Sequence, residues 1–140
     1  LILASDQARF SEIFARRGLS LDVGGSWLLP RLIGLHKAKE LALLADVISA
    51  NEAEKMGLVN RVVPDAELDA LADEWAERLA AGPPLALSQS KRMLNNAFSY
   101  GLAEAMDAEG AAQSVNIASE DCQEGMIAFF KKRKPVFKGR

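Results

Sequence analysis

The sequence predicts an α/β chain with mostly helical content, and three observations carry that prediction. Short apolar runs suited to strands stop at Pro64, helical periodicity dominates beyond it, and an S-x-x-E pattern from Ser49 to Glu52 marks a helix start before the change. The expected organisation is a mixed part over residues 1–64 and an all-helical part over residues 65–140. At 140 residues the chain has the length of one ordinary domain. Its 49% hydrophobic and 26% charged content is globular rather than disordered.

Taken in order, Leu1-Ile2-Leu3-Ala4 reads as a buried strand, and Ser5 and Asp6 punctuate it. No Met precedes it, so residues are expected upstream. Phe10, Glu12 and Phe14 alternate with small or polar residues, which fits a second strand or an extended loop. Three glycines between Gly18 and Gly25 predict a shaped loop. Helical periodicity then runs from Ser26 to about Leu44, with a break near Gly34. Ser49 and Glu52 form a capping box, Gly57 is placed to stop that helix, and Leu58 to Val63 is a short strand-forming run. Beyond Pro64, Asp65 is expected to cap a helix carrying Leu68, Leu71, Trp75 and Leu79. Gly82-Pro83-Pro84 ends it, and a second helix places Leu87, Ser90, Leu94 and Ala97 or Phe98 on its apolar face. A third runs from Leu102 through Met106 to Ile117. Ser119 caps a last one, which ends at Phe129-Phe130 and is stopped by Pro135. Such a tail cannot bury every apolar face alone and is expected to pack on the first part or on another subunit.

The formal charge of -2 argues against nucleic-acid binding, which needs a basic face. No apolar run approaches membrane-spanning length. Cys122 is the one cysteine, so an internal disulfide is impossible and a cytoplasmic protein is expected. A lone His36 and one cysteine predict no metal site. Arg31 and His36 have no special spacing and read as structural, and Cys122 has no histidine near it in sequence to activate its thiol. No dinucleotide fingerprint is present.

Three stretches together resemble the crotonase (enoyl-CoA hydratase/isomerase) family. The first is Ala8-Arg9-Phe10, Gly18-Leu19, Asp22-Val23-Gly24-Gly25-Ser26 and Leu29-Pro30-Arg31. The second is Ile48-Ser49-Ala50, Glu52-Ala53, Gly57-Leu58-Val59-Asn60 and Val62-Val63-Pro64. The third is Ser119, Asp121, Glu124-Gly125, Ala128-Phe129 and Lys132-Arg133-Lys134-Pro135-Val136-Phe137. The resemblance covers the whole chain in order. It implies the end of a crotonase-like ββα spiral followed by a helical domain that builds a homotrimer or hexamer. It also implies an acyl-CoA substrate, carried as a coenzyme A thioester with no further cofactor. The chain resembles the C-terminal half of a family member, whose upstream half holds the oxyanion-binding N–H groups, so the fragment alone is expected to be inactive.

Chemistry of this kind passes through a thioester enolate, stabilised by two N–H groups while a carboxylate moves a proton or activates water. The resemblance places a hydratase glutamate four residues before Gly18, where this sequence has Phe14. A phenyl ring transfers no proton. Glu12 lies two residues earlier and, on a strand, would share the side of Phe14, which makes it the weaker candidate base beside a plain surface role. Asp22 matches the acidic residue of certain family isomerases and is the preferred proton shuttle, with Phe14, Leu21 and Trp27 as acyl-pocket walls. Its competing role is an Asx-turn that caps the following helix. Gly24 and Gly25 read as a simple tight turn, with a backbone that faces an anion before the helix as the alternative. The resemblance implies that Phe129 and Lys132 contact coenzyme A, against a solvated basic helix end as the alternative. Double-bond isomerisation is the favoured activity. Plain 2-enoyl-CoA hydration and a catalytically degenerate assembly role are the alternatives.

Overall fold

The computed structural model describes residues 1–140, and its packing divides them into two compact units, Leu1–Glu74 and Trp75–Arg140. In the first unit, β1 (Leu3–Ser5) pairs in parallel with β4 (Arg61–Val63), with Leu3 opposite Arg61 and Ser5 opposite Val63. The pairing is extended by side chains. The Ile2 amide donates to Asn60 Oδ1 at 2.7 Å and the Asp65 amide to Asp6 Oδ1 at 3.2 Å. The expected strand is therefore shifted: Ala4 and Ser5 are buried, while Leu1 and Ile2 are exposed.

β2 (Arg9–Phe10) pairs antiparallel with β3 (Ile48–Ser49). The alternation through Glu12 and Phe14 does not continue it. Ile13–Arg17 is a 3-10 helix, closed by Gly18 at φ 68°. The reason lies in the partner strand. Phe10 faces Ile48 in this antiparallel register, so a longer β2 would need Val47 and Asp46, which stand outside any strand, while on the other side helix α3 (Ala50–Lys55) starts directly after Ser49. Between these strands, α1 (Gly25–Ile33) packs on α2 (Leu35–Leu44), and Gly34 breaks them apart as expected. At α3, the Ser49 amide donates to Glu52 Oε2 at 2.8 Å and the Glu52 amide to Ser49 Oγ at 3.3 Å, the two reciprocal bonds of a capping box. Hydrogen bonds from Ser49 hold the Glu52 carboxyl below its ordinary pKa. Ala4, Ala50, Ala53 and Val59 form the core of this unit, flanked by Phe10, Ile48 and Val62.

Every regular element after β4 is helical. α4 (Leu68–Ala80) grows out of a 3-10 turn, Asp65–Glu67, so Asp65 does not cap it as expected. In the second unit, α5 (Pro84–Asn96), α6 (Leu102–Ala118) and α7 (Glu120–Phe130) follow, with α5 on α6 and α6 on α7. The expected apolar face of α5 is corrected. Leu85, Ala86, Gln89, Met93 and Asn96 are the sheltered positions, whereas Leu87, Leu94 and Phe98 are exposed. A helical period reveals a row of apolar side chains and not which neighbour covers it. Ser119 Oγ accepts the Cys122 amide at 3.1 Å and caps α7 as expected.

After α7 the chain folds back along the helix. Buried Asp121 accepts the amides of Lys138 at 2.6 Å and Gly139 at 2.8 Å, and the Asp121 amide donates to the Arg140 carbonyl at 3.1 Å. Gly139, at φ 76°, lies so close to Pro84 that a Cβ there would sit 2.9 Å from Pro84 Cγ, so the return path admits only glycine without strain. No helix is long and apolar enough to cross a membrane.

Candidate active site

The loop from Gly18 to Gly25 presents Asp22. Its carbonyl accepts the Gly25 amide at 2.8 Å, which makes the turn into α1. Its carboxylate is exposed and forms no hydrogen bond or ion pair. Helix α1 is capped by Gly24 at φ 82° and receives no side-chain cap. The Asx-capping role considered for Asp22 is thus not what its side chain does. The next residue, Val23, has φ 47° and is almost fully exposed. A β-branched residue in the left-handed region is strained by roughly 1–3 kcal/mol, and such strain collects at functional sites.

Glu12 precedes the 3-10 helix and lies on the wall of a cleft of about 270 Å³ with Ile2, Phe10, Leu29, Leu41 and Leu58. Its carboxyl is half-buried and has no ion pair or hydrogen bond. Burial among apolar neighbours, and then the negative charge of nearby Asp22, raise its pKa. The structure therefore sets the two acidic candidates within electrostatic reach of each other, a relation their separate roles in the sequence did not suggest.

The three expected pocket walls sit in different surroundings. Leu21 lines a second, apolar hollow of about 170 Å³ with Gly25, Leu29 and Pro30. Phe14 is half-buried in the 3-10 helix, where its carbonyl accepts the Leu19 amide at 3.0 Å. Trp27 is partly exposed and carries the Arg31 guanidinium over its ring, 3.9 Å from the centroid. That cation–π contact gives Arg31 a structural role and covers one face of the indole.

In the second unit, Phe129 and Lys132 both lie on the turn that ends α7, and both are exposed. The Phe129 ring meets Phe130 edge to face, with centroids 5.8 Å apart. The Lys132 amide donates to the Phe129 carbonyl and the Arg133 amide to the Ala128 carbonyl, each at 3.1 Å. Lys132 has φ 51°. Arg133 is held by Glu124, with Nη1–Oε1 at 2.5 Å and Nη2–Oε2 at 2.7 Å, and the Val136 amide adds 2.9 Å to Oε1. The Arg133 bonds first, and the Val136 amide second, bring the Glu124 pKa down to about 2. No group of three or more His, Cys, Asp or Glu side chains converges on a point.

Residues 1–140 match the family described as enoyl-CoA hydratase/isomerase. Over 140 residues the chain is 37% identical to a 1,2-epoxyphenylacetyl-CoA isomerase of Escherichia coli, covering all of this chain and 53% of that protein. It is 38% identical over 135 residues to a crotonyl-CoA hydratase of Syntrophomonas wolfei, covering 96% and 52%. An enoyl-CoA hydratase structure from Bacillus anthracis superposes with a TM-score of 0.95 at 36% identity, covering 99% of this chain and 54% of the other. The chain spans about half the length of the relatives it matches.

Proposed function

Because the chain belongs to the enoyl-CoA hydratase/isomerase family, we propose that the protein carrying it moves a double bond along an acyl-CoA thioester, with Asp22 as the proton shuttle. The observation that carries this reading is the exposed, unpaired Asp22 carboxylate beside a strained turn, in a chain with Phe14 where the resemblance puts a hydratase glutamate. In the proposed step, Asp22 takes a proton from the carbon beside the thioester carbonyl. The negative charge passes to the thioester oxygen, held by N–H donors that the family carries upstream of this segment. The proton returns two carbons along, and the carboxylate is restored. The likeness over the whole chain to a protein named as an isomerase supports the same direction. Phe129 and Lys132 are proposed to meet the adenine and phosphates of coenzyme A, and the exposed apolar helix faces to meet other subunits of a trimer or hexamer.

Glu12 supports a second reading, water addition, because its raised pKa suits a group that gives and takes a proton. The two are separated by offering the full-length protein a 3-enoyl-CoA and a 2-enoyl-CoA side by side. Asp22→Asn is expected to lose isomerisation by about 100-fold or more, with little hydration before or after. Robust hydration that survives Asp22→Asn and is lost in Glu12→Gln would overturn the isomerase reading in favour of the second.

A further inference from the structure

Three turns in this chain are closed by the same pair of bonds. At the end of the 3-10 helix, the Gly18 amide reaches the Ala15 carbonyl and the Leu19 amide the Phe14 carbonyl. At the end of α3, the Gly57 amide reaches Glu54 and the Leu58 amide reaches Ala53. At the end of α7, the Lys132 amide reaches Phe129 and the Arg133 amide reaches Ala128. This is the Schellman arrangement, whose pivotal residue is left-handed and usually glycine. Gly18 and Gly57 follow the rule, at φ 68° and 85°, and Lys132 breaks it at φ 51°.

Glycine would fill that position without strain, so what lysine adds there is its side chain. The strain needs an outside hold, and the structure shows one. The residue after Lys132 is gripped by both carboxylate oxygens of Glu124, and the same carboxylate takes the Val136 amide from the returning segment. The carboxylate thus fixes the chain on the far side of the strained residue at two points.

We propose that Glu124 is a positioning residue: by gripping Arg133 it holds Lys132 in the left-handed conformation from which its ammonium meets the phosphates of coenzyme A. This rests on the assignment of Lys132 to coenzyme A made above. The forked geometry matters, because a planar guanidinium on two oxygens sets an orientation that a single bond does not.

The test is a double-mutant cycle on the full-length protein, with coenzyme A itself as probe and its Kd read by calorimetry. Lys132→Ala is expected to weaken binding about tenfold, the loss of one charge-assisted contact. Glu124→Gln is expected to weaken it several-fold with Lys132 present and not at all in the Lys132→Ala background. Arg133→Lys keeps the charge, removes the fork and should repeat that pattern, so it carries the test if Glu124→Gln does not fold. Lys132→Gly should melt higher than the unsubstituted protein and bind as weakly as Lys132→Ala. An unchanged Kd in Lys132→Ala would overturn both the coenzyme A assignment and the positioning role. A Lys132→Ala loss with no loss in Glu124→Gln, or equal Glu124→Gln losses in both backgrounds, would overturn the positioning role alone.

Discussion

Glu12 is half-buried with no partner for its charge, and burial followed by the nearness of Asp22 lifts its pKa above the ordinary 4.5. A carboxyl that ionises less readily in the folded than in the unfolded chain withdraws stability as pH rises through that window. Glu12→Gln is therefore expected to melt higher than the unsubstituted protein near neutral pH. The advantage should vanish as the pH falls below 4.5, which thermal melts across pH would read. Asp22 was legible as a candidate because the family resemblance puts an acidic residue at its position in the loop before Gly24-Gly25. Its lack of any capping bond and the left-handed Val23 beside it were not legible, because nothing in a valine predicts a positive φ. The relation between Glu12 and Asp22 was hidden for another reason. It depends on the chain leaving the strand at Phe10, which is decided by how short β3 is.

At the scale of elements, local chemistry was the reliable guide. The capping box at Ser49, the glycine stops at Gly34 and Gly57, and the Ser119 cap all form where the residues say, because each is complete within a few positions. Removing the Ser49 hydroxyl leaves the Glu52 amide without its acceptor. Ser49→Ala should lower stability by about 1 kcal/mol in denaturant unfolding, and the same change at exposed Ser90 should do almost nothing. What failed was whatever depended on a distant partner. The ladder at β2 stopped early, the start of α4 took a 3-10 turn in place of an Asp65 cap, and the sheltered side of α5 was another row of residues. The side-chain bonds of Asp121 and Glu124 to the returning segment span 9 to 18 positions and carry no local signature.

For the whole molecule, the informative quantity is what stays uncovered. No large side chain is fully buried, and the buried hydrophobic set is dominated by alanines. Leu94, Phe98, Ile117, Phe129 and Phe130 are each more than 60% exposed. Other protein commonly covers apolar surface of that extent. Residues 1–140 expressed alone should self-associate in sedimentation and bind a hydrophobic dye. A monomer that melts cooperatively and ignores the dye would count against that. The parallel pairing of β1 with β4 has a different consequence, one of time. Leu3 and Arg61 are neighbours in space but 58 positions apart, and the loop they close holds α1, α2 and α3. The entropy of closing that loop is met before the strand bonds offset it, so β1 is a late arrival on any folding route, and the helices between must wait for it before their unit locks.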